Sequence, residues 1–163
     1  MALSKIDQRL LAHLQSDGRA TFVELSAAAH LSAPQCLRRV RQLEADGVIR
    51  RYAALADPQK LGLGVSAFVS LSIDREKFTE VRAFEKTICR FPEVLECYTV
   101  SGDFDYMLKV VARDLKDLSQ FLTDGLMQIP GVAGVRSTIC LEEVKPLSPV
   151  PVTIDSRRSS SST

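Results

Sequence analysis

A short internal repeat constrains the fold of this chain more than any other feature of its sequence. Phe91-Pro92-Glu93-Val94 recurs as Ile129-Pro130-Gly131-Val132, and each copy joins a segment with helical apolar spacing to a segment in which apolar and polar residues alternate. Further alternating segments lie at 65–73 and 105–112. The order is strand-helix-strand-strand-helix-strand. This duplication predicts a ferredoxin-like βαββαβ sandwich over 65–145, with helices on one face of an antiparallel sheet.

The other face of this predicted sheet is also apolar. Phe68, Tyr98 and Val100 point away from the face that the helices cover, because side chains alternate along a strand. An exposed apolar face is unfavourable, so we expect it to pack against an identical sheet in a two-fold homodimer. The first helix of the repeat is expected to contain Phe78, Val81, Phe84 and Ile88. The last strand is expected to contain Val135, Ser137, Ile139 and Leu141.

The first third of the chain has helical rather than alternating spacing. A helix is predicted over 4–16 from apolar residues three and four apart, Leu3, Ile6, Leu10 and Leu14. Capping boxes at Thr21–Glu24 and Ser32–Gln35 then mark two further helix starts, and Asp46-Gly47 marks the last helix end. Two short helices joined by a tight turn predict a helix-turn-helix motif.

The second helix of this motif has a basic outer side. Its exposed positions are predicted to be Gln35, Arg38, Arg39 and Gln42, with Arg41 flanking them, and Arg50 and Arg51 follow in a short extended segment, 48–52. In the major groove, arginine can donate two hydrogen bonds to guanine O6 and N7, and glutamine can form a hydrogen-bonded pair with adenine N6 and N7. Adjacent arginines can bind phosphates through their positive charge. Charges of this kind are also typical of a solvated helix face, and the complete motif favours DNA. The predicted DNA-binding residues are Ser32, Gln35, Arg38, Arg39, Arg41, Gln42, Arg50 and Arg51.

Charge and composition divide the chain in the same way. The net charge is +1, but the excess of Lys and Arg lies in residues 1–60 and the excess of Asp and Glu in 61–145. We predict a winged helix-turn-helix domain at 1–53, a linker at 54–64 that contains Asp57-Pro58 and two glycines, and the α/β sandwich at 65–145. The Pro- and Ser-rich tail, 146–163, is expected to be disordered.

Several classes of protein are disfavoured by what the sequence lacks. No run of about 18 apolar residues predicts a membrane span, and the N-terminus has no apolar signal core, so a cytoplasmic protein is expected. The four cysteines lie far apart without metal-ligand spacing, which indicates reduced thiols and no metal site. No catalytic or phosphate-binding motif is present, so neither an enzyme nor a cofactor is expected.

These residues resemble the Lrp/AsnC family of transcriptional regulators. The resemblance runs from about Ile6 to Lys145. Its most specific parts are Leu31-Ser32, Cys36-Leu37-Arg38-Arg39-Val40, Leu43-Glu44, Gly47-Val48-Ile49 and Val100-Ser101-Gly102-Asp103-Phe104-Asp105-Tyr106, and Glu142-Glu143-Val144-Lys145 is similar to the closing strand of the family. The family implies an N-terminal domain that binds double-stranded DNA and a C-terminal domain that dimerises, assembles into octamers or larger rings and senses amino acids.

The resemblance also implies where the amino acid binds. The family's site lies between dimers, near the turn at Ser101–Asp105. The ammonium group of the amino acid needs a hydrogen-bond acceptor such as Asp103 or Asp105, and the carboxylate of the amino acid needs donors such as the backbone amides beside Gly102. The expected effector-binding residues are Ser101, Gly102, Asp103, Asp105, Leu115, Thr138, Ile139 and Cys140. Leucine or another apolar amino acid is the expected ligand, although Thr138 stands where the leucine-responsive relative has a larger aromatic residue.

Two other functions are compatible with this architecture. Sirohaem decarboxylases are similar to the family, but they rely on histidine in the second domain, and this chain has no histidine after His30. A sensor that has lost DNA binding is the other alternative, which the arginines at 38, 39 and 41 disfavour.

Overall fold

The structure, a computed structural model, describes residues 3–74 and 81–152 of the chain. It divides into two compact units. The first, the N-terminal unit, contains the residues up to Leu55 together with the segment that begins at Lys145, and the second contains Ala56–Val144. The start of the predicted tail therefore belongs with the N-terminal unit, whereas residues 153–163 lie outside the described part of the chain.

Three helices form the N-terminal unit, as the sequence predicts: α1 (Lys5–Ser16), α2 (Phe22–Ala29) and α3 (Ala33–Ala45). Local hydrogen bonds explain where they begin. The Asp7 amide donates to Ser4 Oγ, the Thr21 amide donates to Glu24 Oε2, and the Ser32 amide donates to Gln35 Oε1. Each bond satisfies an N–H group or fixes the chain at a helix start, where no intrahelical partner exists. The turn between α2 and α3 passes through His30, which has the left-handed φ of 55°.

The core of this unit is built from one side of each helix. Leu10, Leu25, Ala29, Cys36 and Val40 are buried in a single cluster. The small Ala29 allows α2 and α3 to approach closely at the turn. This packing fixes which side of α3 faces solvent, which determines the surface that α3 presents to a partner.

No wing follows α3. Residues 48–57 form no strand, so the extended segment predicted at 48–52 makes no sheet. A strand needs a neighbour to satisfy its backbone groups, and the described part of this unit contains none. The segment is instead held to α3 by the Ile49 amide, which donates to the Leu43 carbonyl at 3.0 Å.

The second unit is the ferredoxin-like sandwich that the repeat predicts. Its elements are β1 (Val65–Ile73), α4 (Val81–Ile88), β2 (Val94–Thr99), β3 (Tyr106–Ala112), α5 (Leu115–Gln120) and β4 (Val132–Ile139). The sheet order is β2-β3-β1-β4, and every neighbouring pair is antiparallel. The predicted helix position Phe78 lies outside the described residues.

The two faces of the sheet differ as the alternation predicts. Val69, Leu71 and Leu108 are fully buried beneath the helices, with Phe84 and Ile88 of α4 in the same cluster. On the opposite face, large side chains are partly exposed: Phe68 by 45%, Tyr98 by 56% and Val100 by 37%.

The last strand ends sooner than the sequence predicts. It stops at Ile139, so Leu141 and the expected closing strand at 142–145 are not part of the sheet, and the Leu141 side chain is 98% exposed. The Cys140 amide still donates to the Ser66 carbonyl, but Ser66 lies next to the first residue of β1. Strand β1 therefore offers no further backbone partners to residues beyond this point.

Candidate nucleic-acid interface and effector site

The outer side of α3 is defined by its core-facing residues. Cys36, Val40 and Leu43 are buried, and at about 100° per residue Arg38 and Arg41 lie on the opposite side. Arg38 lies almost directly opposite the core, and Arg41 lies about 50° to one side of that direction, at the flank where it was expected. Arg38 and Arg41 line a shallow surface depression of about 340 Å³ together with Pro34, Leu37 and Gln42.

Arg39 occupies a different side of α3 from the one expected. It projects toward α1, where its Nη1 donates to Asp7 Oδ1 at 2.8 Å. Burial acts to raise the pKa of the Asp7 carboxyl, but hydrogen bonds from Ser4 and Arg39 and the charge of Arg39 together lower it below 3.8. The guanidinium of Arg39 is therefore paired within the domain, where it joins α3 to α1, and its expected contact with DNA stays a prediction.

The polar residues predicted to contact DNA are partly used in stabilising α3. Gln35 Oε1 accepts hydrogen bonds from the amide and the hydroxyl of Ser32, at 3.0 and 3.1 Å. Gln42 Nε2 donates to Asp46 Oδ1 at 2.8 Å, near the end of the helix. Gln35 retains an Nε2 group that makes no hydrogen bond to another described residue. Ser32 and Gln35 therefore fix the start of α3 and leave one donor group at its exposed end.

Arg50 and Arg51 lie between two anchor points. Ile49 packs on the domain core, and Tyr52 donates its hydroxyl to Glu44 Oε1 at 3.0 Å. Burial of the phenol and its interaction with Glu44 raise the pKa of Tyr52 to about 12. Both arginines are exposed, and in the described part of the chain neither they nor Arg38 and Arg41 form an ion pair. Four cations thus remain available for phosphates or bases.

The turn between β2 and β3 contains the first group of expected effector residues. Ser101, Gly102 and Asp103 are exposed. Gly102 has a φ of 128°, and a Cβ added there would meet no atom within 4 Å, so its backbone is open to a ligand. Asp105 has a structural role, because its Oδ2 accepts the Ile73 amide at 2.9 Å and its own amide donates to the Leu71 carbonyl.

Arg136 of β4 lies beside this turn and was not identified from the sequence. Its guanidinium carbon lies 5.3 Å from the centre of the Phe104 ring, a cation–π arrangement. No local pattern reveals this contact, since it depends on the pairing of β4 with β1 and on the turn that follows β2. Arg136 places a cation near the exposed Gly102 and Asp103.

The second group of expected effector residues lies at the other end of the sheet. Ile139 pairs with Ala67, Thr138 pairs with Phe68, and Leu115 begins the helix that follows β3. Ile73, which binds Asp105, and Ala67 are six steps apart on β1, so the groups are separated by about 20 Å. One copy of the chain therefore does not bring the two groups into one pocket.

The described residues contain no group of three or more His, Cys, Asp or Glu side chains arranged to hold a metal ion. The four cysteines are free thiols, with Cys36 buried and Cys89 exposed. No helix in the described ranges is long and apolar enough to cross a membrane.

Comparison with known proteins identifies both domains. Residues 3–44 match the AsnC-type helix-turn-helix domain, and residues 66–150 match the Lrp/AsnC ligand binding domain. The Bkd operon transcriptional regulator of Pseudomonas aeruginosa is 39% identical over 150 residues, which cover 92% of this chain and 98% of that protein. The leucine-responsive regulatory protein of Escherichia coli K12 is 39% identical over 143 residues, or 88% of this chain and 87% of that protein.

Solved structures of the same kind share the fold. A Neisseria meningitidis transcriptional regulator in complex with L-methionine has a TM-score of 0.87 and 39% identity, covering 92% of this chain and 97% of that chain. An AsnC family regulator from Agrobacterium tumefaciens has a TM-score of 0.85 and 33% identity, with the same coverage. With both domains matched along most of its length, the chain belongs to the Lrp/AsnC family of transcriptional regulators, which join a helix-turn-helix DNA-binding domain to an amino-acid-binding domain.

Proposed function

We propose that this regulator binds a free amino acid with an apolar side chain at an interface between copies of the chain. The observation that carries the proposal is the 20 Å separation, on one sheet, of the two groups of effector residues. A single small molecule does not span that distance, so residues from both groups contact one ligand only when they come from different chains.

The turn offers complementary charges for the two ends of an amino acid. Asp103 is an exposed acceptor for the ammonium group. The carboxylate is bound by Arg136 and by the open backbone at Gly102. Leu115 and Ile139 of a second chain, which are 58% and 42% exposed, supply apolar contacts for the side chain. Leucine and methionine fit this chemistry, and they are named for the relatives from Escherichia coli and Neisseria meningitidis.

The exposed sheet face provides a surface on which two chains can join. Phe68, Tyr98 and Val100 give it apolar area that is partly exposed in one copy of the chain. Packing of this face against the same face of a second copy forms a homodimer and pairs two copies of α3. Dimers assemble further, into an octamer as the expected form, and the effector binds between them. The chain acts by binding in the cytoplasm and carries out no catalytic reaction.

Within each copy, DNA is contacted by the four arginines without ion pairs, supported by Ser32, Gln35 and Gln42 at the two ends of α3. Arg38 and Arg41 enter the major groove, and Arg50 and Arg51 bind adjacent phosphates. The slope of log affinity against log salt is negative, and each phosphate contact that is lost should make it shallower by about 0.9. Arg50→Ala is therefore expected to bind every sequence more weakly and with a shallower salt dependence.

The proposal makes ligand binding and assembly reciprocal. A ligand held between dimers favours the larger assembly, and assembly in turn raises ligand affinity. Ligand binding would be measured by calorimetry, and assembled mass by sedimentation, over a range of protein concentrations with leucine, methionine or lysine. Leucine or methionine should bind more tightly at high protein concentration, and lysine should bind weakly throughout.

A matched pair of variants tests the turn itself. Asp103→Asn removes the negative charge that is proposed to bind the ammonium group, whereas Asp124→Asn removes an exposed charge from a different segment, the helical turn Phe121–Gly125 that follows α5. The first should lose the effect of the amino acid on assembly and on DNA affinity, and the second should keep it. Ligand affinity that is independent of protein concentration, or an unchanged response in Asp103→Asn, would contradict the proposed site.

A further inference from the structure

Leu37 is an unusual residue for the exposed side of a helix that meets a polyanion. It is partly exposed, and it is absent from the apolar cluster that forms the core of its domain. With Pro34 it lines the same shallow depression as Arg38 and Arg41. The exposed surface of α3 therefore places an apolar patch beside two cations that have no ion-pair partner among the described residues.

The position of this patch limits what it can contact. Leu37 directly precedes Arg38 and lies one turn before Arg41, so its side chain is about 5–6 Å from that of Arg41. Arginine on such a helix binds the O6 and N7 acceptors of guanine. Any apolar partner for Leu37 must lie in the groove beside those guanines.

Only one group on the major-groove edges of DNA is apolar. Guanine, cytosine and adenine present hydrogen-bond donors and acceptors there, whereas thymine also presents its 5-methyl group. An apolar side chain placed over a donor or acceptor would remove it from water without replacing its hydrogen bond. Contact with a methyl group buries apolar area on both sides instead.

We propose that Leu37 and Pro34 form an apolar recognition patch for the 5-methyl group of a thymine. This inference rests on DNA binding by α3. The thymine lies one or two base pairs from a guanine bound by Arg38 or Arg41, because base pairs rise 3.4 Å and the side chains are 5–6 Å apart. The patch thus adds sequence information that the arginines alone do not supply.

Replacement of thymine by deoxyuridine isolates the proposed contact. The substitution removes the methyl group and leaves base pairing, hydrogen-bonding edges and phosphates unchanged. The full-length protein would first be titrated onto a fragment from upstream of its own gene, with scrambled DNA as competitor. A footprint would then locate the half-site that the protein protects, and each thymine in that half-site would be replaced in turn. Affinity should fall about fourfold at one or two positions, the effect of one buried methyl group, and remain unchanged at the others.

Variants show whether Leu37 makes that contact. In Leu37→Ala, removal of the methyl group from the sensitive thymine should no longer change the affinity, so the deoxyuridine and thymine fragments should bind equally. Val23→Ala, which shortens an exposed apolar residue of α2, should keep the fourfold difference. Arg38→Ala should weaken binding to both fragments and still distinguish them. Circular dichroism and the midpoint of urea unfolding confirm that each variant is folded.

The outcomes separate this inference from the function on which it rests. A protein without preference for the fragment over scrambled DNA would contradict sequence-specific binding at that site. A clear preference that no uridine substitution changes would overturn the methyl contact while leaving DNA binding intact. A uridine effect that persists at full size in both Leu37→Ala and Pro34→Ala would assign the methyl contact to another residue.

Discussion

The contact between Arg39 and Asp7 predicts that a charge on the recognition helix acts on stability and not on DNA affinity. Arg39 Nη1 lies 2.8 Å from Asp7 Oδ1, and the two side chains are 34% and 17% exposed. Arg39→Ala would remove this bond and leave Asp7 with its hydrogen bonds to Ser4. We expect the variant to unfold its N-terminal unit more easily and to keep the charges that are proposed to contact DNA.

The magnitude follows from the partial burial of the pair. Exposed ion pairs contribute about 0.2–1 kcal/mol, whereas hydrogen bonds to charged groups contribute about 1.5–3 kcal/mol. A pair that retains some contact with water should lie between these limits, so Arg39→Ala should cost about 1–1.5 kcal/mol. A double-mutant cycle with Asp7→Ala should give a coupling energy of about 1 kcal/mol, because each single change removes the same bond.

The pH dependence has a definite sign. The pKa of Asp7 is lower in the folded protein than its ordinary value of 3.8. Its contribution to stability is therefore fully present above pH 5 and is lost as pH falls below about 4, when the folded carboxyl takes up a proton. The difference between the wild type and Arg39→Ala should shrink over that range.

Hydrogen exchange of α1 would measure the stability change in this unit separately from the second unit. DNA affinity would be measured at several salt concentrations for Arg39→Ala and, as the control that removes a proposed phosphate contact, for Arg50→Ala. The slope against log salt should be unchanged in the first and smaller by about 0.9 in the second. If Arg39→Ala left the hydrogen exchange of α1 unchanged and reduced the salt slope of DNA affinity, the assignment of Arg39 to the ion pair with Asp7 as its main role would be refuted.

Three further predictions concern single contacts. His30→Gly should raise the free energy of unfolding in urea by about 0.5–1 kcal/mol, because φ is 55° there and glycine has no Cβ penalty; a decrease would indicate a stabilising imidazole contact. Arg113→Ala should raise the pKa of Asp117 from about 2 toward 3.8 in a carboxyl NMR titration, since Arg113 donates to that carboxylate. The contribution of the pair to stability is fully present above about pH 5 and is lost as pH falls from there through about 2. Gln15→Ala should speed hydrogen exchange of the Val150 amide, which donates to Gln15 Oε1 at 2.7 Å, while Gln15 Nε2 donates to the Val150 carbonyl at 2.9 Å. Unchanged hydrogen exchange would mean that other contacts hold this segment.

Features that depend on near neighbours were predictable from the sequence. The capping pairs Thr21–Glu24 and Ser32–Gln35 set the starts of α2 and α3 because each pair lies within four residues. Strand alternation likewise separated the two faces of the sheet and placed Phe68 on the face away from the helices. In each case the controlling physics is local periodicity or a local hydrogen bond.

The phase of α3 was within reach of the same reasoning, which placed Arg38 on the outer side but wrongly placed Arg39 beside it. Once Cys36, Val40 and Leu43 are taken as the buried side, rotation of about 100° per residue places Arg38 opposite the core and Arg39 near the edge of the buried side. The partner of Arg39 was not predictable in this way, because Asp7 lies on another helix and meets it only through tertiary packing.

Contacts that depend on strand register were beyond sequence reasoning. Asp105 was one of two expected acceptors for the ammonium group of a ligand, yet its carboxylate accepts a hydrogen bond from the Ile73 amide of a strand that is distant in sequence. Arg136 approaches Phe104 only because β4 pairs with β1 next to β3. A one-residue shift in register would reverse the faces of these side chains, and no local pattern fixes that register.

Polar and charged groups that have a partner inside the domain stabilise it, whereas groups without one are available to a ligand, and this difference separates arginines of this chain. Arg39 and Arg113 have carboxylate partners in their own units, and so they hold elements together. Arg38 and Arg41 share the exposed side of α3 and have no ion-pair partner among the described residues, so a polyanion gains their full charge without breaking an internal contact. The same reasoning explains why Leu37 matters: it is an apolar group outside the core, on the surface where those two cations are available. Both kinds of unsatisfied group therefore point to one partner, a DNA groove that offers guanine acceptors beside a thymine methyl group.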